Sequence, residues 1–498
     1  MKKKLGILAV TVAMAGTMAM SFGLSACGKG FSDFEMPDGG YDGKPVTITF
    51  YNTMGDNLSG VFASAVERFN EIYPNITVVS DSSSGDYDTL RDKLSTEIQT
   101  GVQPNLAFCY PDHVALYNEA GVVLPLNDFL PTGKYTDMMQ KNEGPDGEEP
   151  MCLQPEQINE ELGGYITPYF LEGMAFGDNN LYTLPYAKST ELLYYNKTYF
   201  KNNYTMFSEV TDTSGNPIVN SDGELQNYMT WDQIFAISAK IKASDSSKTP
   251  LGIDSEANLF ITLCEQYGTP YTSATGDHYL FNTAENQAFV QKFHDWFQQG
   301  LFTTQTINKA YTSNLFKEQK TYLSIGSSAG AQYQAPDMDA AGGAVFEVGI
   351  VNIPQVDPAH PKSISQGPSI CIFKQKNPQE VVASWLFAKF ITTDVTFQGQ
   401  YSMTSGYVPV LKSVFDNPAY QTHLDKRSGL KSGLPALSSF TCKELVDRNA
   451  FYTSPAFNGS SKAREQVGIL MVAALTETKS IDDAFKDAVK ECEYFSGI

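Results

Sequence analysis

The chain reads as an α/β protein built from two or more large domains, on three observations. Its 498 residues exceed what one hydrophobic core ordinarily organises. Val46 to Tyr51 is a β-favouring run, followed by Phe62, Val66, Phe69 and Tyr73 at helical spacing and then by Ile76-Thr77-Val78-Val79. Strand, helix and strand make a βαβ unit, which implies a parallel sheet. The third observation is an apolar, aromatic run from Leu181 to Lys197 that Pro185 interrupts. A proline cannot donate to a sheet ladder, so this run reads as an extended segment that changes partners at Pro185.

The N-terminus sets the compartment. Lys2, Lys3 and Lys4 precede an apolar run from Leu5 to about Gly23, the pattern of a bacterial export signal rather than a spanning helix. Leu24-Ser25-Ala26-Cys27 resembles the lipobox of bacterial lipoproteins. That resemblance implies a signal peptide at 1–26 and lipidation of Cys27. Two acyl chains would anchor firmly where one would not. Residues 27–44 are Gly- and Asp-rich and suit a flexible tether. A formal net charge of −21 argues against nucleic acid as a partner, since no basic excess is available to neutralise phosphates. It also disfavours adhesion of the folded body to an anionic bilayer, leaving the lipid anchor as the membrane contact. Six cysteines remain after Cys27: Cys109, Cys152, Cys264, Cys371, Cys442 and Cys492. Three of them, Cys109, Cys264 and Cys371, lie in apolar runs and no CxxC spacing occurs, so no obligatory disulfide is expected.

After the βαβ unit, a helix is expected from about Tyr87 to Thr100 with Gly101 as its stop. The strand Asn105 to Tyr110 should follow, ending in Tyr110-Pro111-Asp112-His113. Ligands of open α/β sheets sit beyond such carboxyl ends. From Pro131 to about Gly163 the pattern decays into an acidic loop containing Glu143 to Pro150, and Asp212 to Glu224 reads as a hairpin insertion. Thr230-Trp231-Asp232 opens a helix. Asn282, with Glu285 three residues on, is expected to cap another whose Phe289, Val290, Phe293, Trp296 and Phe297 pack as core. Thr321 to Ile325 is a strand leading into Gly326-Ser327-Ser328-Ala329-Gly330. Asn377 and Pro378 begin a helix, and two helices, about Ser461–Glu477 and Ser480–Phe495, close the chain.

Several of these segments resemble one family. Pro185 to Lys197, Thr230-Trp231-Asp232, Phe346 to Gln355 and Thr404-Ser405-Gly406-Tyr407-Val408-Pro409-Val410 are similar to segments of the family 1 extracellular solute-binding proteins. These are the receptors of ABC-type sugar and glycerol-phosphate importers. The resemblance runs from roughly Pro45 to the C-terminus. It implies a two-lobed periplasmic-binding-protein-like fold with three interlobe crossovers and a ligand cleft between the lobes. It places lobe 1 at 45–187 and 326–367 and lobe 2 at 188–325 and 368–498, with recrossings near Gly326–Gly330 and at Ser365–Ile372. The implied function is a membrane-anchored extracellular monomer that needs no cofactor, captures a sugar by lobe closure and delivers it to an ABC permease and its ATPase subunits. The alternative within the family is a glycerol-3-phosphate or sugar-phosphate receptor.

Sugar recognition needs flat apolar surface for C–H faces and fixed polar groups for hydroxyls. Motif resemblance and strand-end position select Tyr87, Tyr110, Asp112, Ser189, Thr190, Tyr271, Ser328, Gly367 and Tyr407 as the ligand-binding set. The loops that carry them hold no Arg, and Tyr452 to Asn458 offers no basic residue before Lys462. A buried anion would need one, so a neutral mono- or oligosaccharide is expected, with Lys188 the exception to explain.

Two other classes compete. Gly326-Ser327-Ser328-Ala329-Gly330 fits the G-x-S-x-G elbow of a secreted esterase with Ser328 as nucleophile, and Asp357 and His423 follow in order. That elbow must lead straight into a helix, and Pro336 leaves little room for one. A surface polysaccharide adhesin would share the aromatic content without needing crossovers. No metal is expected, since His113, His278, His294, His360 and His423 form no i, i+4 pair and no HExxH. No Walker-type loop occurs, so the chain is not the ATP-hydrolysing subunit.

Overall fold

β1 (Val46–Tyr51), β2 (Ile76–Asp81) and β3 (Leu106–Cys109) pair in parallel in the computed structural model, which describes residues 34–37, 40–129, 164–178, 180–338 and 342–496. The export signal, Cys27, residues 28–33 and 38–39 of the tether and the acidic loop with Cys152 lie outside the described residues. The intervening helices follow the sequence pattern closely. α1 (Ser59–Ile72) buries Phe62, Ala65 and Phe69. α2 (Tyr87–Thr100) is capped by Asp86, whose carboxylate accepts from Thr89 N, and stops at Gly101 with φ +71°. α3 (Pro111–Asn118) starts directly at the end of β3 with Pro111 in its first turn, a place where the missing N–H costs nothing. α4 (Thr167–Glu172) then leads to β4 (Thr183–Pro185).

The change of partners at Pro185 is observed. β4 is the edge of the first sheet, ordered β2-β1-β3-β11-β4 with β11 at Ser369–Ile372, where a proline costs least. β5 (Glu191–Asn196), six residues on, is an inner strand of a second sheet. That sheet also holds β6 (Leu251–Ile253), β7 (Phe302–Thr304), β8 (Leu323–Ser327) and β9 (Val348–Asn352), in the order β7-β6-β8-β5-β9. β10 (Ser363–Ile364) and β12 (Phe451–Tyr452) form a short parallel ribbon, and β11 (Ser369–Ile372) runs antiparallel between β3 and β4.

The crossings are three, but two of them lie elsewhere than expected. β8 and β9 both pair with β5, so the chain does not recross near Gly326–Gly330. The segment 326–367 therefore does not belong to the first lobe, because its strand β9 completes the second sheet. The return runs between β9 and β11, which makes Ser365–Ile372 the second crossing and puts β11, expected in lobe 2, in the first sheet. α8 (Pro378–Thr393) and α9 (Val395–Ser405) pack on that sheet too, since Val382, Trp385, Phe387, Ile391 and Phe397 belong to its core. The third crossing passes from α10 (Leu434–Asp447), whose Leu434 and Leu445 belong to the first core, through β12 into α11 (Ser460–Leu475) and α12 (Ile481–Ser496), which join the second core.

In the second core, α5 (Trp231–Ser244) begins with a capping box between Thr230 and Gln233. α6 (Glu256–Tyr267) is capped by Ser255. α7 (Ala284–Gln298) is capped by Thr283, which accepts from Asn286 N, one residue later than the expected Asn282. Trp296 of α7 stacks on Phe235 at 3.9 Å, so those aromatics pack between helices rather than face ligand. Cys109, Cys264, Cys371, Cys442 and Cys492 are buried free thiols. Among the described residues no helix is long and apolar enough to cross a membrane, and no group of three or more His, Cys, Asp or Glu side chains is placed to hold a metal.

Candidate functional site

A cavity of about 430 Å³ lies between the two sheets. The first lobe supplies the start of α2 (Asp86, Tyr87, Asp88), the β3–α3 junction (Tyr110 to His113) and Glu172 at the end of α4. The second supplies Ile261 on α6, Tyr271 beyond it and the first turns of α11 (Ser460, Ser461, Arg464). The crossings themselves, Ile364 to Gln366 and Thr453 to Ala456, complete the wall. The cavity thus sits where both lobes and the hinge meet, and any ligand in it touches all three.

Four of the sequence-selected residues come together there: Tyr87, Tyr110, Asp112 and Tyr271. The rings of Tyr87 and Tyr110 lie 4.8 Å apart, and His113 meets Tyr110 edge-on at 5.4 Å. Burial holds His113 below its ordinary pKa, so the imidazole is neutral near pH 7. Burial likewise pushes the Tyr87 and Tyr271 phenols up, which keeps them protonated donors at any physiological pH. Tyr407 does not line the cavity. It stands behind Tyr87 and interacts with it.

Ser189, Thr190, Ser328 and Gly367 do not line the cavity either; they knit the crossings. Ser189 and Gln366 exchange two backbone hydrogen bonds of 2.7 and 2.9 Å. Thr190 N donates to Ser328 Oγ at 3.1 Å, and Ser328 N donates to Thr190 O at 2.7 Å. Ser328 is fully buried in that exchange, unlike an exposed nucleophile. Gly367 has φ +101°, and a Cβ there would meet Ala187 O at 2.4 Å, so only glycine lets the two crossings touch. Lys188, the cation left unexplained by the sequence, is fully buried. Its Nζ donates to Gly367 O and Ser369 Oγ, both at 3.0 Å, and pairs with Glu172. Its charge is therefore spent inside the hinge.

Sequence reasoning missed Arg464 and Glu172. Arg464 overturns the expectation of a cleft without Arg: α11 begins two residues beyond Asn458, and one helical turn carries its guanidinium back to the cavity. The start of α11 behind Gly459 was the available signal. Around the same cavity, the hydroxyls of Tyr271 and Thr453 are buried without a hydrogen-bond partner among the described residues. Leaving such a group unpaired costs about 1–3 kcal/mol, so these two atoms mark where a ligand's polar groups would be satisfied.

Residues 64–426 match the family model described as bacterial extracellular solute-binding protein. Among solved structures, the chain is similar to a cyclic alpha-maltosyl-1,6-maltose binding protein from Arthrobacter globiformis. That match has a TM-score of 0.65 and 17% identity, over 91% of this chain and 99% of the other. UgpB from Mycobacterium tuberculosis in complex with glycerophosphocholine gives 0.64 at 15% identity, over 91% and 98%. The sugar-binding protein MalE from Xanthomonas citri gives 0.65 at 14%, over 90% and 97%. At such identities the neighbours show the two-lobed fold, and the family model carries the assignment: a substrate-binding component of ABC importers, not an esterase or other enzyme. The chain belongs to the bacterial extracellular solute-binding proteins.

Proposed function

We propose that the protein is a membrane-anchored receptor that captures a neutral mono- or oligosaccharide between its lobes and delivers it to an ABC permease. The observation that carries this reading is the paired Tyr87 and Tyr110 rings facing a cavity whose Tyr271 and Thr453 hydroxyls are unpartnered. Rings offer apolar faces to sugar C–H groups, and the hydroxyls and Asp112 offer donors and acceptors for sugar hydroxyls.

The charge balance supports a neutral ligand. The N-termini of α2 and α3 point at the cavity, and each already carries carboxylates, Asp86 and Asp88 on one and Asp112 on the other. Their partial positive ends are matched, so an anion gains little there. A second reading, a glycerol phosphate or sugar phosphate, is favoured by Arg464 and by the α11 N-terminus, which has no side-chain cap.

Calorimetry and thermal unfolding with maltose, maltotriose and glycerol 3-phosphate separate the two. A sugar at 100 times its dissociation constant stabilises by about 2.7 kcal/mol. Binding of glycerol 3-phosphate with no response to neutral sugars would replace the first reading by the second. The anchor assignment rests on Leu24-Ser25-Ala26-Cys27. Cys27→Ser should release folded protein from the membrane fraction, and its retention there would remove the lipid anchor from the proposal.

A further inference from the structure

Among the described residues Arg464 is the one arginine on the cavity wall. Among the described residues its guanidinium makes a single hydrogen bond, from Nη2 to Asn258 Oδ1, and no ion pair. Of its five N–H donors, four are left for whatever enters. Asn258 is buried on α6, and its amide has a second commitment: Nδ2 donates to Glu191 Oε1 at 2.8 Å. Glu191 is buried as well, and it is the first residue of β5 after the hinge. A buried chain, carboxylate to amide to guanidinium, thus runs from the end of the first crossing to the cavity.

We propose that Glu191 and Asn258 are positioning residues that hold Arg464 toward an oxygen acceptor of the ligand, and that the protonation state of Glu191 sets ligand affinity through this chain. The inference rests on the receptor reading, and the acceptor is either a sugar oxygen or a phosphate oxygen.

The direction of the amide carries the mechanism. An ionised Glu191 only accepts, so it draws the Asn258 NH2 group and turns Oδ1 toward Arg464. A protonated Glu191 is a donor. It favours the flipped amide, whose NH2 would then face the guanidinium, donor against donor. The groups that face Glu191 are Arg464 on α11, Asp254 after β6 and Tyr452 of β12. Burial raises its pKa to about 7, against the opposing pull of Asn258 and Arg464. The positioning form is therefore present above this value and lost as pH falls through it.

The test uses the full chain at pH 6 to 8. Calorimetry is run with two probes, maltotriose and glycerol 3-phosphate, and thermal unfolding is followed over the same range without ligand. Affinity for the probe that binds should fall roughly tenfold from pH 8 to pH 6, the scale of one charge-assisted hydrogen bond. Glu191→Gln carries a donor beside its acceptor oxygen at every pH, as the protonated acid does, so it should bind with the wild type's pH 6 affinity throughout and show no slope. Asn258→Ala should lose roughly tenfold at pH 8 and show no slope. Without ligand, the pH at which the difference in unfolding temperature between wild type and Glu191→Gln levels off is set by the folded-state pKa and should move upward in an Arg464→Met background. A slope that survives Glu191→Gln, or a levelling-off point that Arg464→Met leaves in place, overturns the chain and leaves the receptor reading standing. Binding of neither probe overturns the ligand assignment instead, and the ligand-free unfolding still decides the link between Glu191 and Arg464.

Discussion

Tyr271 illustrates how a receptor site differs from a core. Its ring packs edge-on near Phe260, while its hydroxyl is buried at the cavity with no partner. In the free protein that hydroxyl is a liability, and in the proposed complex it would be a contact. Tyr271→Phe should accordingly leave stability unchanged or raise it slightly, and weaken sugar binding by about 0.5–1.5 kcal/mol. Thermal unfolding and calorimetry with maltotriose read the two effects separately, and an unchanged affinity would remove Tyr271 from the site. Glu191 has a similar opposition of signs. Its folded pKa of about 7 lies above the ordinary 4.5, so its ionisation opposes folding as pH rises past 4.5, with the full cost reached above 7. Glu191→Gln should therefore raise the unfolding temperature more at pH 8 than at pH 5. An equal effect at both would show that Glu191 is not raised.

At the scale of elements, the hinge is where sequence and structure bear most closely on each other. Pro185 ends an edge strand, Lys188 and Val408 bridge the first crossing to the Gly-Tyr-Val-Pro loop, and Ser189 bridges it to the second crossing. The Lys188–Glu172 pair lies beneath these bridges, burying one charge from the crossing and one from α4. Burial pushes the Glu172 carboxyl up and Lys188 pulls it back, so each charge depends on the other. Lys188→Met should cost about 3–5 kcal/mol at pH 8 by stranding a buried carboxylate. The double variant with Glu172→Gln should recover much of it, since both charges are then gone. Denaturant unfolding of the three variants measures this, and a Lys188→Met midpoint equal to wild type would show that the pair contributes nothing.

For the whole molecule, three crossings join two sheets and the cavity lies against all of them. A ligand that touches both lobes favours the conformation in which they approach, and only that difference in affinity shifts the population. Small-angle scattering should show a smaller radius of gyration with saturating maltotriose than without. An unchanged radius with binding confirmed by calorimetry would mean the lobes do not close on this ligand.

The parts of this molecule that were legible in the sequence are those governed by neighbours along the chain. The βαβ start, the helix opening at Thr230, the cap Asn377, the stop at Gly101 and the break at Pro185 all follow from spacing and local hydrogen bonding. So do Tyr87, Tyr110 and Asp112 as cavity residues, because strand ends and helix starts of an α/β sheet face the ligand side. The rest depended on pairings between distant segments. Whether 326–352 stays with the second sheet is decided by β5 accepting β8 on one edge and β9 on the other, a choice that the strands' own composition does not contain. That pairing moved two crossings, put Ser189, Thr190, Ser328 and Gly367 inside the hinge and brought Arg464 to the cavity. The sequence by itself determined an exported α/β receptor-like chain and four residues of its candidate site. Only the tertiary structure decided which charges meet the ligand, because that depends on side chains from α3, α4 and α11 converging across a cleft.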